Sequence, residues 1–319
     1  MKRTLITSAS GRIGRCLVPV LLEHGYKVRV LVHHTAPPES WAGDVEAVEF
    51  SLFDEKALDA ALDGIDVVCH LAGLMPPAAD DDIFRVNIEG TYRLLQAMKR
   101  CRKRPRLAFA SSDATYCTGW SRGPYAGPID ENTEQRPMLL YGVSKILGER
   151  LCFHYQDIEK IPSVRLRLVW ILEAPEVLDL FVGAPYKDFL VAEDKGKWDD
   201  PRFVKMPLEE DGAPFSEHIC DVRDAAQGIF LAADREEAVG RVFNIAGPAP
   251  YTYTEVAPWL AAKLGAEAVA GRCRGIHSYA VSIEHARALL GYRPDYSVYD
   301  TLEEALARKT ATSSIGESC

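Results

Sequence analysis

The sequence predicts an α/β protein: a doubly wound parallel sheet followed by a smaller subdomain toward the C-terminus. Three observations carry this. Strand-like and helix-like stretches alternate until five strands have passed by residue 110. The first strand runs into a glycine-bearing turn that opens a helix. The chain is 319 residues long and 47% apolar, enough for one large domain or two modest ones. Such alternation gives a parallel sheet whose ligand crevice lies at the C-terminal ends of the strands.

The β-branched run Thr4 to Thr7 reads as the first strand, and Ser8-Ala-Ser-Gly-Arg-Ile-Gly14 as its turn. The apolar periodic stretch from Cys16 to Leu22 is the helix, with Pro19 expected to remove one ladder hydrogen bond and kink it. Lys27 to Val32 alternates as a second strand, so the first 32 residues form a βαβ unit. A turn of this kind sets a helix N-terminus where it holds a pyrophosphate, with glycines admitting the close approach. The second strand ends Val32-His33-His34, without the carboxylate that bonds a ribose 2′-hydroxyl. His33, His34 or Arg12 would suit a 2′-phosphate, which leans the reading toward NADP over NAD.

Val45 to Leu52 reads as a strand, Glu55 to Leu62 as a helix, and Val67 to Gly73 as a buried strand entering a small-residue turn. Residues 81–99 read as a helix containing Val86-Asn-Ile-Glu-Gly-Thr91, and Arg106 to Ala110 as the fifth strand. That strand leads into Ser111-Ser112-Asp113, a hydroxyl placed to meet Tyr141 across the crevice. Tyr141-Gly-Val-Ser-Lys145 opens a further helix with phenol and ammonium one turn apart on one face. A phenol titrates near ~10, and a positive charge beside it favours the phenolate, so Tyr141 is a candidate general acid/base.

No apolar run is long enough to span a bilayer, and Met-Lys-Arg leads straight into the first strand. A soluble, cytoplasmic protein is expected, with no membrane partner. The eight cysteines are scattered without a Cys-x-x-Cys pair, so neither a disulfide framework nor a metal site is expected. A net charge of −9 disfavours nucleic acid, and the basic cluster Lys99 to Arg104 reads as a solvated helix end.

Taken in order, the motifs resemble the extended short-chain dehydrogenase/reductase family, also called the NAD-dependent epimerase/dehydratase family, over roughly residues 3–307. Thr7 to Gly14 looks like the nucleotide turn, His70-Leu-Ala-Gly73 the segment lining the cofactor, and Asn87 the V-N-x-x-G-T helix motif. Ser111-Ser112 matches the serine pair after strand five, and Tyr141 with Lys145 matches Y-x-x-x-K. Val222 to Ala226, Val242 to Ala246 and Leu290 to Pro294 resemble the C-terminal landmarks. The resemblance implies a Rossmann-like sheet with Ser112, Tyr141 and Lys145 as the catalytic set. It implies NAD(P) bound by Thr7, Ser8, Ser10, Gly11, Arg12, Ile13, Gly14, His33, Ser51, Leu52, Leu71, Ala72, Gly73, Asn87, Tyr141 and Lys145. Tyr141 would move the proton, Lys145 would lower its pKa, and Ser112 would polarise the reacting oxygen. Met75, Ser112, Asp113 and Trp170 would meet a small-molecule substrate.

Departures bear on that substrate. Ser8 replaces the first glycine of the turn, and Ser51 replaces the acid that bonds adenine. Glu217 stands where sugar-nucleotide enzymes carry a diphosphate-binding Arg. Ala114 replaces the Glu of the dehydratases, which makes Asp113 a turn-stabilising residue, and His70 reads as packed within its strand. The expected function is an NAD(P)-dependent oxidoreductase acting on a hydroxyl or carbonyl of a small sugar, sugar acid, polyol or related compound. The alternatives are a sugar-nucleotide epimerase/dehydratase with retained cofactor and a non-catalytic dinucleotide sensor. Residues 1–172, with 216–247 returning, form the dinucleotide domain; 173–215 and 248–307 form an irregular, aromatic-rich substrate subdomain. Leu74 to Pro77 and Cys117 to Tyr125 are expected to close the pocket, and 308–319 to be a disordered tail. A homodimer through the helices carrying Asn87 and Tyr141 is expected from the resemblance.

Overall fold

The computed structural model describes residues 1–32, 36–49, 51–119 and 125–316, with side chains through 309. The opening β-branched run forms β1 (Arg3–Thr7), buried from Thr4 onward. α1 (Arg12–Glu23) buries Gly14, Leu17, Val18 and Leu21, one face at helical spacing, and continues past the exposed Pro19. β2 (Lys27–Val32) and β3 (Val45–Glu49) lead to α2 (Glu55–Ala61), capped by Asp54, whose carboxylate accepts the Ala57 N–H. β4 (Val67–His70) is buried throughout. α3 (Asp80–Ile83), a π-helical turn (Phe84–Glu89) and α4 (Gly90–Arg100) form one helical run. β5 (Arg106–Ser112) extends two residues past its expected end, which makes Ser112 its last residue. α5 (Leu140–Asp157) and β6 (Ser163–Leu168) follow.

Beyond β6 the chain forms β7 (Ile171–Leu172), α6 (Ala174–Val182), β8 (Val204–Leu208), β9 (Ser216–Glu217), β10 (Cys220–Asp221) and α7 (Val222–Asp234). It closes with β11 (Val242–Ile245), β12 (Tyr251–Thr252), α8 (Tyr253–Leu264), β13 (Ala268–Arg272), α9 (Glu284–Leu290) and α10 (Val298–Gly316). The segment read as irregular from Glu173 therefore holds a regular helix. α6 is started by a capping box between Glu173 and Glu176 with Pro175 in its first turn. α10 likewise carries the backbone through Gly316, where a disordered tail from residue 308 was expected; residues 317–319 lie outside the described part.

Seven parallel strands build the main sheet in the order β11-β6-β5-β4-β1-β2-β3. The order reverses between β1 and β4, and there the connections splay to opposite faces and open the crevice. Pairs β7–β10 and β8–β13 are parallel and β9–β12 antiparallel. One apolar cluster packs α1 and α7 on one face of the sheet, and another packs α2, α4 and α5 on the other. A third, from Leu172 to Ala305, fills the second lobe. A fully buried Leu or Phe is worth roughly 1.5–3 kcal/mol and an exposed ion pair about 0–1, so these clusters dominate the stability. The basic cluster at the end of α4 spends charges on such exposed pairs, Lys99 with Glu159 at 2.7 Å and Arg100 with Asp59 at 2.7 Å. No described helix is long and apolar enough to cross a membrane. Among the described residues no cluster of three His, Cys, Asp or Glu could hold a metal, and their cysteines are free.

Candidate active site at the sheet switch point

The turn after β1 is shaped to hold an anion. Ser8 takes φ 61, the left-handed conformation that glycine adopts freely, and its carbonyl accepts the Gly11 N–H at 3.1 Å. A Cβ on Gly14 would lie 2.3 Å from the Ala9 carbonyl oxygen, so only glycine lets α1 start this close to the turn. The first N–H groups of a helix lack intrahelical acceptors and carry the positive end of its dipole. Those of Arg12, Ile13 and Gly14, just past the Gly11 cap, fit a dinucleotide's pyrophosphate. Ser10 is half-buried on the same turn, and Ile13 packs against the core. Arg12 is directed elsewhere: its guanidinium donates to the Ile171 carbonyl at 2.5 Å and pairs with Glu176 at 2.5 Å, which holds α6 against the turn. Its expected place beside a 2′-phosphate is thus taken by α6. His33 and His34 lie outside the described residues. Ser51 accepts the Phe53 N–H at 3.2 Å, and Leu52 is buried against Gly90.

Thr7 joins β1 to the next strand: its hydroxyl accepts the N–H groups of Leu71 and Ala72, both at 3.0 Å. It also lies 2.9 Å from His70 Nδ1, while His70 Nε2 lies 3.1 Å from the Thr91 hydroxyl. Burial pushes His70 down to about 3, so the ring is a neutral strut between β1, β4 and α4. Asn87 holds the backbone of Leu74 at both ends, accepting its N–H at 2.7 Å and donating to its carbonyl at 2.8 Å. Its amide also donates to Ser144 on α5 at 2.9 Å. A Cβ on Gly73 would lie 3.0 Å from Lys145 Nζ, which places the ammonium directly beneath this turn.

α5 brings Tyr141 to Ser112 because Gly142 lacks a side chain. A Cβ there would lie 2.4 Å from the Ala114 carbonyl, inside the short turn that follows β5. This sets the Ser112 hydroxyl beside the Tyr141 phenol. Lys145 Nζ donates to the Ala110 carbonyl at 2.8 Å and sits 5.7 Å from the Tyr141 ring centroid. Burial dominates at Tyr141 and pushes its hydroxyl up, the Ser112 hydroxyl lowers it, and Asp113 raises it further. Lys145 is itself pushed down to about 8 by burial, with Glu149 opposing.

Asp113 spends both oxygens within the protein. It accepts the Ser112 hydroxyl at 3.1 Å and the Thr118 hydroxyl at 2.8 Å. Burial still pushes this carboxyl up. Trp170, after β6, holds φ 27 close to this carboxyl. Met75 stands exposed on the loop after β4. Of the segment Cys117 to Tyr125, residues 120–124 lie outside the described part. Thr118 escaped the sequence reading because nothing local links it to Asp113. Glu149 also escaped, although its place one helical turn past Lys145 was visible.

One expected feature of the substrate side differs. Glu217, expected to confront a diphosphate, is 2% exposed and caged by the hydroxyls of Tyr186, Tyr251 at 3.1 Å and Tyr253 at 2.7 Å. Burial pushes its carboxyl up to about 7. Trp198, in the same lobe, is buried in its core with the indole donating to the Val269 carbonyl at 2.8 Å.

Comparison with known proteins agrees with this geometry. Over 186 residues the chain is 33% identical to an L-arabinose 1-dehydrogenase (NAD(P)(+)) of Haloferax volcanii, covering 56% of this chain and 70% of that one. It is 34% identical to a uronate dehydrogenase of Agrobacterium fabrum over 157 residues, 49% of this chain and 57% of the relative. A crystal structure of a short-chain dehydrogenase/reductase superfamily protein from Agrobacterium tumefaciens with bound NAD superposes with a TM-score of 0.85 at 31% identity, covering 99% of both chains. Residues 4–246 match the model of the NAD dependent epimerase/dehydratase family. With its nucleotide turn, serine pair and Tyr-Lys helix all meeting at the sheet's switch point, the chain belongs to the NAD dependent epimerase/dehydratase family.

Proposed function

We propose that the protein is an NAD(P)-dependent oxidoreductase that acts on a hydroxyl or carbonyl of a small sugar, sugar acid, polyol or related carbonyl compound. The observation that carries this is the meeting of Tyr141, Ser112 and Lys145 at the crevice, the phenol beside the Ser112 hydroxyl and the ammonium 5.7 Å from the phenol ring and beneath Gly73. When bound, the nicotinamide supplies the hydride chemistry. Tyr141 gives or takes the proton on the reacting oxygen, Ser112 orients that oxygen, and Lys145 holds the ribose. The two dehydrogenase relatives support this activity. Replacing Tyr141 with Phe should leave NADH or NADPH binding within about twofold and reduce turnover by at least ~10²-fold. Turnover near wild type in that variant would sink the mechanism.

The lean to NADP rests on the missing carboxylate at the end of β2, and titration with both reduced nucleotides tests it. Residues 173–215 and 248–307 are taken as the substrate side, in a soluble cytoplasmic enzyme. The family also contains epimerases, so a sugar-nucleotide epimerase with retained cofactor is the second reading. The residue at 217 counts against it, because the position that carries a diphosphate-binding Arg in sugar-nucleotide enzymes here holds a carboxylate turned into a cage of three phenols, which offers a diphosphate no cation. A stoichiometric nucleotide released on denaturing the purified protein would favour this second reading. A homodimer is proposed through α4 and α5, where Tyr92, Val143 and Leu147 are exposed; light scattering at the monomer mass would remove it.

A further inference from the structure

One turn beyond Lys145, α5 carries a second buried charge, Glu149. Its Oε1 accepts the Ser111 hydroxyl at 2.6 Å and Arg167 Nε at 3.0 Å. Its Oε2 accepts Arg167 Nη2 at 2.8 Å and the Gln135 amide at 3.2 Å. Arg167 in turn donates to the Tyr116 hydroxyl at 2.5 Å and the Glu131 carbonyl at 3.1 Å, and Tyr116 donates to Asn244 on β11 at 2.9 Å. The Arg167 and Glu149 side chains are only 6% and 3% exposed.

A buried ion pair is weak evidence for stability, since desolvation offsets much of the attraction. The connections of this one are more informative than its energy. Ser111 immediately precedes catalytic Ser112 on β5, and Glu149 stands one turn after catalytic Lys145 on α5. A single carboxylate therefore bonds to the strand that ends in the hydroxyl and rides on the helix that carries the ammonium.

We propose that Glu149, clamped by Arg167, is the positioning residue of this site, fixing the Lys145 turn of α5 against the Ser112 end of β5 and keeping a negative charge one turn from the lysine. This rests on the reading that Ser112, Tyr141 and Lys145 serve a bound nicotinamide nucleotide. The charged and titratable groups around Lys145 are Tyr141 and Glu149 on its own helix, His70 on β4, Asp113 after β5 and Arg167 on β6. Of these, Glu149 is the one that raises the lysine against its burial.

The test is a pH series from 6 to 9 in which NADH and NADPH are titrated by fluorescence into wild type and Glu149→Gln, with melting curves alongside. Glutamine keeps the shape and an acceptor for Ser111 but removes the charge. The expected result is a folded variant that binds reduced nucleotide on the order of tenfold more weakly, with its high-pH loss of binding moved to lower pH. Ser111→Ala, which keeps the ion pair, should weaken binding without moving that limb. If Glu149→Gln does not fold, Glu149→Gln with Arg167→Gln removes both charges, strands neither, and carries the same expectation. A folded variant with wild-type affinity and pH dependence overturns the inference, even if its melting temperature falls. Wild-type protein that binds neither nucleotide overturns the functional reading and the inference with it.

Discussion

Ser8 holds φ 61 at the place where a glycine would be free of strain, a backbone conformation that costs an L-residue roughly 1–2 kcal/mol. Glycine gives back part of that advantage through its looser unfolded chain. Ser8→Gly should therefore stabilise the protein by about 0.5–1 kcal/mol, seen as a higher melting temperature, without weakening nucleotide binding. A lower melting temperature would show that the serine side chain contributes more than its backbone costs. At this scale the meeting of Tyr141 and Lys145 was legible, because they share a helix and their spacing alone puts them on one face. Asp113 was legible as a turn residue and a candidate substrate contact. Its bond from the Thr118 hydroxyl, five residues on, was not, because no local pattern announces such a meeting.

The run from Asp80 to Arg100 was readable as a helix, but not its π-helical turn, since one extra residue in a turn leaves no mark on apolar spacing. π-turns gather at functional sites, and this one carries Asn87. The wider turn lets the Asn87 amide serve both Leu74 and α5. Asn87→Ala would leave the Leu74 N–H and carbonyl without these partners, at about 1–3 kcal/mol. The expected outcome is a lower melting temperature together with weaker nucleotide binding, read by thermal melts and NADH titration. Loss of stability with unchanged binding would confine Asn87 to a structural role. α6 was missed for a different reason: Glu173-Ala-Pro-Glu176 is a helix start, but the surrounding prolines and aromatics drew attention to loop character.

Over the whole molecule, strand and helix alternation foretold the parallel sheet, whereas the second lobe was opaque because its short strands pair across long separations. Glu217 belongs to this scale, since its phenol cage links the stretch after α6 to β9, β12 and α8. Its folded pKa is raised to about 7, so its stabilising contribution is full below the ordinary carboxyl range and is lost as pH rises toward 7. Glu217→Gln should thus gain on wild type as pH increases from 4.5 to 8, by up to on the order of 3 kcal/mol, measured as the difference between their melting curves. A constant difference across that range would mean that the carboxyl does not titrate there.

The sheet order has one more consequence, and it concerns synthesis. β6 pairs on one side with β5 but on the other with β11, which the chain supplies only after passing through α6, β8 and α7. On the ribosome, β6 waits with an open edge, its backbone groups and those of Arg165 and Arg167 unpaired on that side. The nucleotide-binding half is first to be translated, yet it finishes folding only after much of the other half has emerged.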